Sequence, residues 1–162
     1  MNRFTAAGIV ICGSILPLTG GHAESTTICG QTVNYVVTPP ASDLSPELRA
    51  LSGIWVGDTG TGRGQVETTM CIGFVIESIR SDATVSAKYV WGDKIKCFAN
   101  GANFLIKPGV NPWEGKMTGG VLHFVSADGQ YSFDLRVTNP NEMRGIFSTP
   151  TGPGNTQMSR RR

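Results

Sequence analysis

Apolar residues along much of this chain recur at every second position, the period of a β-strand whose two faces meet different surroundings. Between Val66 and Ile79, one face carries Val66, Thr68, Met70, Ile72, Phe74 and Ile76. The other carries Glu67, Thr69, Cys71, Gly73 and Glu77. The next run sets Ala83, Val85, Ala87, Tyr89 and Trp91 against Thr84, Ser86 and Lys88. Further on, Tyr131, Phe133, Leu135 and Val137 alternate with Ser132, Asp134, Arg136 and Thr138. Turn pairs punctuate these runs: Gly92-Asp93, Asn100-Gly101, Gly119-Gly120 and, most clearly, Asp128-Gly129. No helix-period segment of useful length follows Gly53. The one helical signal is a capped turn, with Ser45 as N-cap, Pro46 at the first position and Glu47-Leu48-Arg49-Ala50-Leu51 after it.

Strands joined by short turns lie antiparallel to their sequence neighbours. A meander of this length removes its exposed edges by closing on itself. The pattern therefore predicts an all-β fold: an antiparallel up-and-down β-barrel of about eight strands, preceded by a short helical turn. An open sandwich is the second choice. Within that plan, Lys94–Phe98 and Phe104–Ile106 read as strands of the meander, and Trp113 sits beside the loop Pro108–Pro112 as a lid or partner contact.

The start of the chain follows a different logic. Residues 1–23 carry Arg3, then an uncharged and mostly apolar stretch from Ala6 to Leu18, then small residues ending at Ala23. That is the layout of a cleavable signal peptide, and the apolar run is shorter than the ~20 residues a spanning helix needs. The expected protein is exported, periplasmic or secreted, with no membrane anchor after cleavage. Residues 24–46, rich in Ser, Thr and Pro, read as an N-terminal tail, and 47–162 as the barrel domain.

Charge narrows the partners. The full chain carries 14 Lys and Arg against 12 Asp and Glu. Loss of Arg3 leaves thirteen basic residues, three of them the terminal Arg160, Arg161 and Arg162. The body without that tail is slightly acidic, so no basic face for nucleic acid is expected. Read alone, the Arg tail is a frayed, solvated end.

Cys29, Cys71 and Cys97 remain after processing. An oxidising compartment favours one disulfide, with three pairings possible. In a meander, the strands bearing Cys71 and Cys97 are separated by one strand, about 9.6 Å. A disulfide needs Cα atoms within roughly 7 Å. Cys29, on a movable tail, can reach either partner. Cys97 lies next to a loop and a lysine, so Cys29–Cys97 is the expected bond.

Catalytic and metal-ligating sets are not recognisable. His123 is the one histidine left after processing, and it is out of phase with Leu122 and Phe124, which points it to solvent. Glu67, Glu77 and Asp134 fall on the polar phase of their strands. Gly60-Thr61-Gly62-Arg63-Gly64 lies between two strands, whereas a phosphate cradle lies between a strand and a helix. The cysteine spacings match no zinc site. No enzyme activity, cofactor or metal is expected. The aromatics are the informative set. Phe74, Tyr89, Trp91, Phe124, Tyr131 and Phe133 share the apolar phase, either as a filled core or as an aromatic pocket open at one end. Tyr89, Trp91, Trp113, Phe124 and Tyr131 are the candidate ligand-binding residues.

Leu51-Ser52-Gly53-Ile54-Trp55-Val56-Gly57, a helical turn leading into Gly-x-Trp at the head of the first barrel strand, resembles the entry of lipocalin-like (calycin) barrels. The chain also looks like small exported bacterial barrel modules of unknown function, which end in Met/Leu-x-Arg as Met158-Ser159-Arg160 does here. The resemblance spans about residues 48–160 in plan and implies that Arg160 packs over Trp55 to close one end. The expected function is an exported, non-catalytic binding module for a small apolar ligand or a protein partner. The alternative is an inhibitor or accessory protein acting through its loops and its Cys29-bearing tail.

Overall fold

In the computed structural model, which describes residues 23–61, 68–97 and 103–161, the chain opens with a hairpin, β1 (Glu24–Ile28) and β2 (Gln31–Tyr35). A single helical turn follows, α1 (Pro46–Arg49). Ser45 caps it by accepting from the Leu48 amide at 3.3 Å. The remaining strands are β3 (Gly53–Thr61), β4 (Thr68–Ile79), β5 (Thr84–Trp91), β6 (Lys94–Cys97), β7 (Asn103–Ile106), β8 (Gly109–Thr118), β9 (Val121–Val125), β10 (Ser132–Asn139), β11 (Glu142–Thr149) and β12 (Gly152–Arg161).

Eight of these form a closed antiparallel barrel, in the order β3-β4-β5-β8-β9-β10-β11-β12, with β12 pairing back onto β3. The alternation seen in the sequence sorts side chains between inside and outside. Trp55, Phe74, Phe124, Phe133, Leu122, Leu135, Met143 and Met158 are all buried in the interior cluster. Each such side chain contributes roughly 1.5–3 kcal/mol by leaving water.

The meander has one interruption. β6 and β7 pair only with each other, as a two-stranded ribbon, and β5 pairs directly with β8 from Thr84↔Lys116 to Trp91↔Gly109. Lys94–Phe98 and Phe104–Ile106 were expected inside the meander. The two four-residue strands offer little pairing, whereas β8 satisfies the full length of β5, so the long strands close the sheet and the short ones are left outside it.

The expected N-terminal tail is the β1–β2 hairpin, and it has its own apolar seat on the barrel's outer wall. Ile28, Val33 and Tyr35 pack with Val75 and Val90 into a second buried cluster, flanked by Ile54, Val56 and Val110. Gly73 makes room for it: a Cβ there would lie 2.6 Å from Ile28 Cγ2. The hairpin turn is Cys29-Gly30, both at positive φ (51° and 77°). With Ile28 seated against Gly73, that turn lies over β4 beside Cys71.

The disulfide is therefore Cys29–Cys71, with Cα atoms 5.6 Å apart, and the expected Cys29–Cys97 pairing is corrected. The reason is hydrophobic burial. The hairpin docks where the outward-facing valines are, and docking puts Cys29 at Cys71. The signal-peptide reading, apart from Ala23, lies outside the described residues, as do Gly62–Gly64, Val66, Glu67 and Asn100-Gly101.

Candidate functional site

The two ends of the barrel are built differently. At one end the connections are the tight turns between β4 and β5, β8 and β9, and β10 and β11. α1 and Leu51 lie across this end. Trp55, 0% exposed, donates from its indole nitrogen to the Leu51 carbonyl at 2.8 Å. Arg160 is Trp55's partner in the β12–β3 ladder, and its guanidinium carbon stands 4.3 Å from the Trp55 ring centroid. The guanidinium donates to the carbonyls of Ser52, Ala50 and, at 2.9 Å, Pro140. Arg160 thus ties together the helical turn, the first and last barrel strands and the β10–β11 turn. Arg161 donates to the Thr27 carbonyl of the β1–β2 hairpin, so Arg160 and Arg161 are anchored where a frayed end was expected.

The opposite end is open. Among the described residues, the Ser126–Tyr131 loop, the β11–β12 turn and the ends of β3, β5 and β8 lie at this end. Between them lies a cavity of about 680 Å³, within the range of small-ligand pockets. Tyr89, Trp91, Trp113 and Tyr131 line it, with Phe147, Met70 and Ile106. Four of the five ligand-binding candidates thus meet in one wall. The fifth, Phe124, is fully buried below them, stacked on Phe74 at 4.8 Å and set 6.3 Å from Trp113. The barrel is filled in its lower part and has a cavity at its mouth, so the aromatic set divides between core and cavity wall at different heights.

Local features fix the wall. Trp91 lies flat over Gly109, where a Cβ would stand 2.5 Å from the ring. Its indole nitrogen donates to the Lys107 carbonyl at 2.8 Å. Tyr89 bridges Trp91 (5.3 Å between centroids) and Trp113 (5.0 Å). Burial pushes the Tyr89 phenol up, so it remains a neutral hydrogen-bonding group. Tyr131, 40% exposed, stacks on Phe147 at 6.1 Å and forms the rim.

Trp113 is corrected from loop lid to wall. It lies within β8, opposite Ala87 on β5, and its ring reaches Phe74, Tyr89 and Phe133 inside the barrel. β8 extends through Pro112 because it pairs with all of β5, which the proline-bearing sequence did not suggest.

The polar groups at the mouth are Thr59, Asn111, Ser126, Asp128 and Thr149. Asp128 was read from the sequence as a turn residue and missed as part of a site. Its carboxylate accepts from the Ser126 hydroxyl at 2.5 Å and from the Gln130 amide at 3.1 Å. Those bonds, Ser126 first, hold it below the usual carboxylate range.

His123, Glu77 and Asp134, the described residues weighed for catalysis, are not among those lining this mouth, and the barrel's other paired carboxylates are not either. His123 is exposed on the outer wall and paired with Asp134. Glu77 pairs with Lys88 at 3.2 Å, Glu114 with Arg80 at 3.1 Å and Glu142 with Arg144 at 2.6 Å. Among the described residues no three His, Cys, Asp or Glu side chains gather as a metal site would require.

No known protein family and no curated protein sequence matches the chain. Among solved structures, one similar chain is a de novo designed fluorescence-activating β barrel. It is 13% identical, the similarity covers 74% of this chain and 100% of that one, and the TM-score is 0.49.

Proposed function

We propose that this protein is an exported, non-catalytic barrel that holds a small apolar ligand in its open mouth. The observation that carries the reading is the cavity walled by Tyr89, Trp91, Trp113 and Tyr131, above a filled lower barrel. Such a wall favours a flat or compact apolar body by area burial and aromatic contact. The packing of Arg160 over Trp55 supports the resemblance to lipocalin-like barrels. The Cys29–Cys71 bond supports export to an oxidising compartment. The non-catalytic reading draws on the outer-wall position of His123 and on carboxylates paired with cations rather than with each other.

The alternative, an inhibitor reaching a partner through its N-terminal tail, has less support. That segment is a hairpin packed on the barrel and tethered by the disulfide.

The test is a titration with the neutral fluorophore phenylnaphthylamine. Saturable binding at one site is expected, weakened at least tenfold by Trp113→Ala while the strand circular dichroism persists. Absence of saturable binding, or binding indifferent to Trp113→Ala, overturns the reading.

A further inference from the structure

The described lining of the mouth carries one charge that an apolar wall does not need. Among the described residues lining the cavity there is one carboxylate, Asp128, and no lysine, arginine or histidine. Asp128 sits in the turn Ser126–Gly129, closed by the Gly129 amide donating to the Ser126 carbonyl at 2.9 Å. Its two local bonds, from the Ser126 hydroxyl and the Gln130 amide, keep it in place and in its ionised form. Charged partners neutralise other carboxylates of the barrel, as at Glu77, Glu114 and Glu142. Asp128 makes hydrogen bonds to neutral groups only, among the described residues. Tyr131 also lines the mouth at that loop, three residues further on and stacked on Phe147, while Tyr89, Trp91 and Trp113 line the wall within.

An aromatic wall beneath a carboxylate rim favours positive charge twice over. Aromatic faces attract cations through their quadrupole, by about 0.5–2 kcal/mol depending on exposure to water. An ionised carboxylate adds Coulomb attraction, modest because the rim is exposed. The same two features repel a carboxylate- or sulfate-bearing ligand, and the cavity presents no described cation to receive one.

Building on the apolar-ligand reading above, we propose that the ligand is a cationic amphiphile, an amine or quaternary ammonium carried on an apolar or aromatic body, with its body among Tyr89, Trp91 and Trp113 and its charge at the Asp128 rim. The site thus selects against fatty acids and other apolar anions.

Equilibrium dialysis of the full protein against three ligands with one aromatic body tests this: naphthylmethylammonium, naphthylmethanol and naphthoate. The ammonium should bind on the order of tenfold tighter than the alcohol, and the naphthoate weaker than the alcohol. Asp128→Asn should bring ammonium and alcohol within about threefold, leaving the alcohol's affinity unchanged, since the aromatic contribution persists. Added salt should narrow the preference of the native protein in the same direction. Equal affinities, or tighter naphthoate, would overturn the cation preference while leaving the apolar-ligand reading in place. Equal weakening of all three by Asp128→Asn would make Asp128 a turn brace and also overturn it. Failure of all three to bind the native protein would overturn both readings.

Discussion

The Trp55 end and the Trp113 end of this barrel use the same residue type for opposite purposes. Trp55 is fully buried, its indole nitrogen bonded to the Leu51 carbonyl and its ring covered by Arg160. Trp113 is half-buried, with one side against Phe74 and Phe133 and the rest lining the mouth. What differs is the connection at each end. Tight turns and a helical turn leave no space over Trp55. At the other end, the described strand ends and the Ser126–Tyr131 loop border a cavity of about 680 Å³ over Trp113. Stability should therefore concentrate at the closed end and ligand affinity at the open one.

The comparison can be broken most directly at the plug. Trp55→Ala should destabilise the protein by about 3–5 kcal/mol, the range for a large buried side chain. Urea unfolding measures it, and a loss under about 1 kcal/mol would mean that the end is not closed by packing. Arg160→Ala should cost less, on the order of 1 kcal/mol, since the guanidinium lies at the surface of the plug and its three carbonyl partners can turn to water. Because Arg160 rests on Trp55, the double variant should cost less than the two single losses together, and strict additivity would separate the two residues energetically.

The smallest expected effect on folding is at the rim. Tyr131→Ala should change stability by less than about 1 kcal/mol, because the residue sits at the rim, 40% exposed and stacked on Phe147 alone. It should nevertheless weaken binding of the neutral fluorophore. A large loss of stability there, visible in the same unfolding curves, would mean that the mouth carries the fold and the contrast between the ends fails.

Residues that obey one simple rule were legible in advance. The strict alternation of Met70, Ile72, Phe74 and Ile76, and of Val85, Ala87, Tyr89 and Trp91, placed the interior face of two strands and the aromatic set that lines the cavity and floors it. Val75 and Val90 broke that alternation: both are apolar on the outward phase and both are 0% exposed. With Ile54 and Val56 they mark an outer surface that needs a cover, a signal that would have found the hairpin's seat. Missing it led to the wrong cysteine partner, since the covering hairpin carries Cys29 to Cys71. Trp113 was misplaced for another reason. Pro112 suggests a loop, yet it lies in β8 opposite Lys88 and the strand runs on through it.

By itself, the sequence determined what local pattern can determine. Alternation set the strands, their inward faces and hence an all-β barrel, because a residue's side of a strand depends only on its parity along the chain. Tertiary structure alone decided which end is closed, which strands stay out of the barrel, which cysteines meet and how Asp128 comes to the rim of an aromatic wall. Each of these depends on the distance between segments far apart in sequence. The closure of β12 on β3, and the docking of the β1–β2 hairpin on the outer valines, set those distances through long-range burial that no local period encodes.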